Sequence, residues 1–235
     1  MTELLCLQDA YLQNFKATMI AQLEGGVVLD RTAFYSGGGG QPCDVGSLEA
    51  NGRSHQVTKV KKVKGTPVHF LADGALLDVG TAVSGQIDWE RRYKLMRTHT
   101  AMHILCGVVW RDYGAQVTGG NMDLLKGRMD FEFETMRQEL VAEIEASVNK
   151  EVAAARDVKV NVLPREEAFQ IPDLIRTKIN LLPPFITEIR TIELEGLDLQ
   201  ADGGTHVKNT SEVGDMKIVN YKSKGKINKR IYVEL

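Results

Sequence analysis

Two short residue pairs, far apart in the sequence, most constrain how this chain can fold. His99 and His103 lie four residues apart in the stretch MRTHTAMHIL, and Asp202 and His206 have the same separation in the stretch DGGTH. Two imidazoles with this spacing share one face of a helix, and a Gly-Gly turn lets the second pair point the same way. A fold that brings both pairs together creates a split site of three imidazoles and one carboxylate. Such ligands suit tetrahedral zinc, and nickel or cobalt would also bind them.

The alternatives to a metal site are a buried, hydrogen-bonded histidine pair and an ordinary Asp-Gly-Gly turn. The chain has only five histidines, and three of them fall in these two clusters. His55 and His69 lie in a region with no second ligand nearby. The concentration of the few histidines in these two clusters favours the metal site. We predict that the site holds one Zn²⁺ per chain. The HEXXH pattern of metalloproteases is excluded, because Thr100 stands where that pattern has a glutamate.

The residues up to Asp88 are predicted to form a small β-barrel. Short apolar runs separated by turn residues are typical of strands in such folds. The runs cover residues 25–30, 56–60 and 66–71, and a glycine run at 37–40 lies between the first two. By itself the glycine run indicates a flexible loop, and it is not a P-loop because no Gly-Lys-Ser/Thr follows. Residues 1–88 are therefore predicted to form one N-terminal domain with a glycine-rich motif.

Residues 89–235 are predicted to mix helices and strands, which makes the fold class α+β. A helix is expected from Trp89 to about Trp110, because Leu95, His99 and His103 follow helical spacing. The other predicted elements are, in order, a strand with Met129, Phe131 and Phe133 toward the core, an amphipathic helix through Leu140, Ile144, Val148 and Val152, a strand at Val158, Val160 and Val162, a short helix after Pro164, and strands at 186–194, 216–221 and 226–233.

Composition favours a cytoplasmic protein. No stretch of the 235 residues is long and apolar enough to cross a membrane, and the first ten residues lack a basic segment ahead of an apolar one. The three cysteines, Cys6, Cys43 and Cys106, are odd in number and widely spaced. Their arrangement argues against a disulfide framework and fits a reducing compartment.

Positive charge is concentrated locally, although the formal net charge is only −2. One cluster covers residues 59–64. Between Met216 and Val233 the chain has no acidic residue and carries the basic residues Lys217, Lys222, Lys224, Lys226, Lys229 and Arg230. Such patches can hold phosphates even on a slightly acidic protein. The alternative is a solvated strand edge protected by lysines.

Four motifs occur in a fixed order along the chain. They are FY, GGGGQP and DVG within residues 34–46, RTHTAMH at 97–103, GGTHV at 203–207 with Thr210 and EVG at 212–214 after it, and SKGKINKR at 223–230. Together they resemble the editing domain of alanyl-tRNA synthetases and its free-standing relatives, the AlaX proteins. The similarity covers nearly the whole chain. It implies that residues 89–235 form a mixed α/β, metal-binding tRNA editing domain of the alanyl/threonyl-tRNA synthetase type.

One position departs from the family pattern. The family often has cysteine where this chain has Asp202. A carboxylate is a harder and less strongly donating ligand than a thiolate, so we expect a more Lewis acidic metal that is held more weakly. If Asp202 does not ligate, the three histidines leave an open position, as in catalytic zinc sites. Both alternatives keep His99, His103 and His206 as ligands.

The resemblance also implies residues that contact the substrate. Thr118 aligns with a threonine of the amino-acid pocket, where it would hydrogen-bond a serine hydroxyl; without the resemblance it would be an ordinary turn threonine. Gln116 points to the same side if this segment is extended. Gln41 is expected to contact substrate or tRNA. The residues expected to bind tRNA are Lys222, Lys224, Lys226 and Arg230.

The expected function is that of an aminoacyl-tRNA deacylase acting on mischarged tRNA(Ala), with serine, and also glycine, as the wrong amino acid. The ester is already activated, so positioning and polarisation contribute more than a strong nucleophile. Two schemes stay open: the zinc activates a water, or it anchors the substrate while a neighbouring group or the ribose hydroxyl handles the proton. The alternative functions are a non-catalytic, zinc-containing tRNA-binding module and editing of another mischarged tRNA, such as threonyl-tRNA.

Overall fold

The computed structural model describes residues 2–177 and 186–235. The chain divides into two units, Met1–Leu95 and Met96–Leu235. The domain boundary predicted after Asp88 lies at the start of the helix in which this division falls. Each unit has its own sheets and its own core.

A closed barrel of six strands makes up most of the first unit, and the predicted small β-barrel is thereby confirmed. The elements of this unit are β1 (Glu3–Leu4), α1 (Leu5–Gln8), β2 (Asn14–Leu23), β3 (Gly26–Leu29), β4 (Arg31–Thr32), β5 (Gly46–Ala50), β6 (Arg53–Val63), β7 (Thr66–Leu71) and β8 (Ala82–Ile87). The barrel strands follow in the order β2-β3-β7-β6-β5-β8, and a short parallel pair, β1 and β4, lies outside the barrel.

Alternating side chains fill the barrel. On β2, Phe15, Ala17 and Met19 are buried, as the two-residue period of a strand requires. Phe15 packs edge-on against Phe34, with ring centroids 5.8 Å apart. The buried rings and aliphatic side chains form one continuous core.

A fully buried ion pair joins the loop between β4 and β5 to the helix that begins at Trp89, after the last barrel strand. The Arg92 guanidinium pairs with the Asp44 carboxylate and also donates to the carbonyls of Ala10 and Ala33. The same carboxylate accepts the Tyr35 backbone N–H. A buried guanidinium is stable only when acceptors pair with its N–H donors, and Asp44 supplies the charged acceptor. The DVG motif that contains Asp44 therefore has a structural role in the first unit.

The glycine run is an ordered tight turn, which corrects the flexible-loop interpretation. Gly38 and Gln41 exchange two backbone hydrogen bonds of 3.1 and 2.9 Å. Between them Gly39 and Gly40 have φ angles of 58° and 88°, as a two-residue hairpin turn of the primed type requires. The Tyr35 hydroxyl donates to the Gly38 carbonyl at 3.0 Å.

The second unit contains two sheets and the longest helices of the described chain. The elements are α2 (Trp89–Tyr113), which begins in the first unit, then β9 (Val117–Asp123), β10 (Lys126–Glu132), α3 (Gln138–Ala153), β11 (Val158–Pro164), α4 (Arg165–Ala168), β12 (Glu188–Leu194), β13 (Asp198–Ala201), a 3₁₀ turn (Thr210–Val213), β14 (Lys217–Ser223) and β15 (Asn228–Glu234). The four-stranded sheet has the order β14-β15-β10-β9, and the three-stranded sheet has the order β11-β12-β13.

The helix α2 has ordinary start and stop signals. The Asp88 carboxylate accepts the Arg91 backbone N–H at 3.0 Å, as an N-cap does. Gly114, with a φ of 62°, follows the last turn and donates to the Trp110 carbonyl. None of the described helices is long and apolar enough to span a membrane.

Most of the elements predicted after Trp89 are present, with differences in detail. Phe131 is fully buried, whereas Met129 is only half-buried. On α3 the core-facing residues include Val141 as well as Ile144, Val148 and Val152, and Leu140 is only half-buried. The strands β9 and β13 were not predicted, because β9 is rich in glycine and β13 is only four residues long.

Candidate functional site

The structure brings the two predicted ligand pairs together. His99 and His103 come from successive turns of α2, and Asp202 and His206 come from the loop after β13. One ligand atom of each of the four residues lies within 4.8 Å of the others. The imidazoles stack closely, with centroids of the His99 and His206 rings 4.2 Å apart. Three histidines and one carboxylate thus form a single cluster in the second unit.

The shortest distances in the cluster approach those of a tetrahedral metal site, and all four ligand atoms lie within 4.8 Å of one another. Ligands about 2.0 to 2.1 Å from a tetrahedral zinc lie roughly 3.3 to 3.4 Å from one another. The Asp202 carboxylate is 3.1 Å from His206 Nε2 and 3.5 Å from His99 Nε2. The donor set also fits chemically, because nitrogen and carboxylate oxygen are both zinc ligands. The side chains of the three histidines are 2 to 8% exposed and that of Asp202 is 14% exposed, so solvent reaches the cluster most readily at Asp202.

Polar partners orient two of the imidazoles so that their Nε2 atoms remain for a metal. His103 Nδ1 lies 3.2 Å from the Asp198 Oδ2, and His206 Nδ1 lies 3.2 Å from the Thr100 hydroxyl. The Thr100 oxygen also accepts the Val207 backbone N–H at 3.3 Å. Metal-ligating histidines commonly donate their second ring N–H to a carboxylate or another acceptor in this way, which fixes the tautomer and the ring orientation.

Asp198 contacts the cluster through His103, and the sequence did not predict this. Its buried carboxylate also accepts Gln200 Nε2 at 2.6 Å and Arg176 Nε at 3.4 Å. The Arg176 guanidinium packs over the Trp110 ring. The sequence contains a pattern that could have identified Asp198. Asp198, Gln200 and Asp202 are every second residue, and every second residue of a strand lies on the same face.

The loop that carries Asp202 is fixed by its own hydrogen bonds. Gly204 N–H donates to the Asp202 carboxylate at 2.6 Å. Arg190 on β12 holds the same residue twice, because its carbonyl accepts Asp202 N–H at 3.1 Å and its Nη1 donates to the Asp202 carbonyl at 3.0 Å. The predicted turn after Asp202 therefore holds the carboxylate in a defined position.

The ionisation states suit metal binding. Burial lowers the pKa of His99 to about 4, and burial together with His99 lowers the pKa of His206 well below its usual range. Burial opposes ionisation of Asp202, but the neighbouring His99 and the hydrogen bond with His206 hold its pKa well below the usual value. Burial would also lower the pKa of His103, yet the contact with Asp198 raises it overall. Two neutral imidazoles beside an ionised carboxylate are ready-made ligands.

The predicted amino-acid pocket residues lie at the start of β9. Gln116 and Thr118 are exposed. In the pairing of β9 with β10, Asp130 lies opposite Gly119, and the next residue, Phe131, lies opposite Val117. Thr118 is therefore the extra residue of a β-bulge. Its hydroxyl donates to Asn228 Oδ1 at 3.1 Å. The roles of Thr118 and Gln116 in the pocket stay predictions.

Gln41 belongs to the first unit. The residue is 3% exposed, and its backbone closes the glycine turn. The contact with substrate or tRNA that the resemblance implies for it stays a prediction.

The predicted tRNA-binding residues lie on the hairpin of β14 and β15. Lys222, Lys224 and Lys226 are exposed. Arg230 differs from them, because its guanidinium forms two hydrogen bonds of 2.6 and 2.7 Å with the Asp130 carboxylate on β10. Lys229 is buried and donates to the carbonyls of the turn at 225 and 226. Two cations of the hairpin, Lys229 and Arg230, thus form structural contacts, and the three predicted lysines are exposed together with Lys217.

Comparison with known proteins first defines a class. Residues 4–91 match the family model of tRNA synthetases class II (A), and residues 189–232 match that of the threonyl and alanyl tRNA synthetase second additional domain. The second match spans β12, the Asp202–His206 loop and the basic hairpin up to Tyr232. The chain is thus related to the class II synthetases through both of its units.

Relatives of known name define the family. The alanyl-tRNA editing proteins AlaX-M of Saccharolobus solfataricus and Methanosarcina mazei are each 40% identical to this chain, over 99% and 100% of its length and 98% and 97% of theirs. The alanine–tRNA ligase of Pyrobaculum aerophilum is 39% identical over 92% of this chain and 25% of the ligase. The chain belongs to the AlaX family of alanyl-tRNA editing proteins.

Proposed function

We propose that the protein hydrolyses, in trans, the ester that joins serine to tRNA(Ala), and that the cluster of His99, His103, Asp202 and His206 holds the zinc ion at which this occurs. The observation that carries the proposal is the convergence of these four ligands within 4.8 Å in a chain of this family. Glycine is the second substrate that we propose. The cytoplasm, where tRNA is charged and used, is the place of action.

A bound zinc would supply Lewis acidity toward the ester carbonyl or a water. The chain's own residues supply the geometry. Asp198 and Thr100 orient two of the imidazoles, and Arg190 holds the loop of Asp202. Because Asp202 is the most exposed of the four, we place the approach of the ester on its side of the cluster. An aminoacyl ester is already activated, so a rigid site with modest polarisation is sufficient.

Discrimination between serine and alanine requires a group that hydrogen-bonds the serine hydroxyl. We propose Thr118 for this role, assisted by Gln116. The bulge supports the proposal, because bulges re-aim side chains next to active sites. The Asn228 oxygen that accepts the Thr118 hydroxyl proton leaves the lone pairs of the threonine oxygen available to a substrate hydroxyl. Alanine would leave these groups without a partner, which disfavours its ester.

The tRNA backbone is proposed to bind the basic hairpin. Lys222, Lys224 and Lys226 extend into solvent, and phosphates would replace their counterions. Arg230 contributes by bracing the hairpin through Asp130. Gln41 is proposed as a further contact from the first unit.

Deacylation assays on tRNA(Ala) charged with serine, glycine or alanine test the proposed function. We expect hydrolysis of the seryl and glycyl esters and protection of the alanyl ester. Serine on tRNA(Thr), a mischarged tRNA of another specificity, is the control for editing of a different tRNA. Binding of tRNA(Ala) without hydrolysis of any ester would instead support a tRNA-binding module with a structural metal.

A further inference from the structure

Two valines on the edge strand β11 are exposed next to the metal cluster. Val160 and Val162 are 44% and 58% exposed on a strand that has no buried residue. Isolated exposed valines need no explanation, but two on the same face of one strand form a continuous apolar strip.

The strip lies on the same face of the sheet as the cluster. Val162 pairs with Arg190, and Val160 pairs with Ile192, which in turn pairs with Gln200. Directly paired residues of an antiparallel sheet point to the same side. Gln200 hydrogen-bonds Asp198, the partner of His103, so this is the face that carries the cluster. The opposite face is covered by the separate core around Ala168, Leu174 and Ile189.

The side chains at the cluster are largely buried, whereas the strip is exposed. The side chain of Asp202 is 14% exposed, that of Arg190 beside it is 11% exposed, and Val162 on the next strand is 58% exposed. Arg190 Nη1 lies 3.9 Å from the Asp202 carboxylate. Val162 is therefore two strands away from Asp202, which corresponds to about 9 to 10 Å at the usual spacing between strands.

We infer that Val160 and Val162 form the subsite for the terminal adenine of the tRNA, an inference that rests on the proposed function. In an aminoacyl ester of adenosine, roughly five single bonds of about 1.5 Å each join the ester carbonyl to the base, so the base lies about 6 to 8 Å from the bond that is cleaved. A base lying over the strip would place the ester over Asp202. The flat, weakly hydrated face of adenine suits an apolar surface, which is a sequence-tolerant way to hold the unpaired end of an RNA.

Self-association is the other occupant that an edge strand suggests. β11 carries Lys159 on its opposite face, where it pairs with Glu195, and a charged edge opposes pairing with a second copy. The position of the valines beside the cluster favours the nucleobase.

The test compares seryl-adenosine with serine methyl ester as substrates of the full-length, zinc-loaded protein. The Val160→Ser/Val162→Ser variant should raise the KM for seryl-adenosine by about tenfold, because the remaining apolar surface of two half-exposed valines is no longer available to the base. The kcat for seryl-adenosine and the kinetics of the methyl ester should stay at parental values.

The matched control is Val219→Ser, which changes a valine that is 50% exposed on another edge strand, β14. It should leave both substrates unaffected. A Val160→Thr/Val162→Thr variant keeps the shape and β-branching, so it guards against a folding defect, and an intermediate KM is expected for it. An unchanged KM for seryl-adenosine in the folded serine variant would overturn the inference, as would an equal loss on both esters or an altered oligomeric state in the variant. If the parent hydrolyses neither ester and no seryl-tRNA, the proposed function itself fails.

Discussion

Replacing Asp198 with alanine should weaken zinc binding by about 10- to 100-fold, the usual effect of removing the residue that orients a metal-ligating histidine. This corresponds to roughly 1.4 to 2.8 kcal/mol. The reason is local. Asp198 Oδ2 is the acceptor 3.2 Å from His103 Nδ1, and without it neither the tautomer nor the rotation of this ring is fixed.

The same substitution should also destabilise the metal-free protein. Gln200 and Arg176 lose their acceptor in a buried environment, which costs about 1 to 3 kcal/mol. Metal affinity is measured by competition with a chromogenic chelator, and stability is measured separately by denaturant unfolding of the metal-free protein. An Asp198→Asn variant keeps one acceptor oxygen and should lie between alanine and the parent in metal affinity.

Asp130→Ala is the control for a general loss of stability. Asp130 is also mostly buried and holds Arg230 through two hydrogen bonds, but on the four-stranded sheet. This variant should lose stability and keep the parental zinc affinity. Parental zinc affinity in Asp198→Ala, or an equal loss of affinity in Asp130→Ala, would refute the orienting role of Asp198.

Three further predictions concern tRNA, specificity and acid stability. Changing Lys222, Lys224 and Lys226 together to glutamine should weaken tRNA binding and flatten its dependence on salt without altering metal content; an unchanged salt slope would leave the hairpin as a solvated edge. Thr118→Val should shrink the preference for the seryl over the alanyl ester by roughly 1 to 3 kcal/mol in the ratio of the two rates, and a parental ratio in a folded protein would remove Thr118 from the specificity role. Burial lowers the pKa of His69 to about 4, so the folded protein keeps this imidazole neutral at pH values where the unfolded chain, with a pKa of 6.5, already binds a proton. The folded state should therefore lose up to about 3 kcal/mol of stability as the pH falls from 6.5 to 4. A His69→Gln variant should show a shallower loss over that range, and identical pH slopes in the two proteins would contradict this prediction.

The metal cluster was predictable because each half of it is a local pattern. The spacing of His99 and His103 defines one helix face, and Asp202-Gly-Gly predicts a turn. Only the proximity of the two pairs depends on the tertiary fold. The supporting residues were harder to find. Thr100 reaches His206, and Arg190 holds Asp202, across contacts that depend on how α2 and β12 approach the loop after β13.

The barrel shows the same division between local and non-local information. The predicted runs at 25–30, 56–60 and 66–71 correspond to β3, part of β6 and β7. The strands β2 and β8, by contrast, alternate apolar residues with charged or small ones, and they become strands by pairing with each other. Propensity is a weak signal where partner strands decide the outcome.

Register also lies beyond what the sequence pattern contains. Thr118 could be assigned to an extended segment, but its place in a bulge opposite β10 depends on the pairing of β9 with another strand. In the same way, Arg230 belongs to a visible basic run, while its bond to Asp130 follows from the register Asp130↔Arg230.

The most direct test of the central claim is to measure deacylation of seryl-tRNA(Ala) and zinc content in the same preparations. The parent should carry about one zinc per chain, lose activity when a chelator removes the metal, and regain it on adding zinc. His103→Ala and His206→Ala should lose both metal and activity while remaining folded. A His206→Ala protein that carries no metal and still deacylates seryl-tRNA(Ala) at the parental rate would contradict the account.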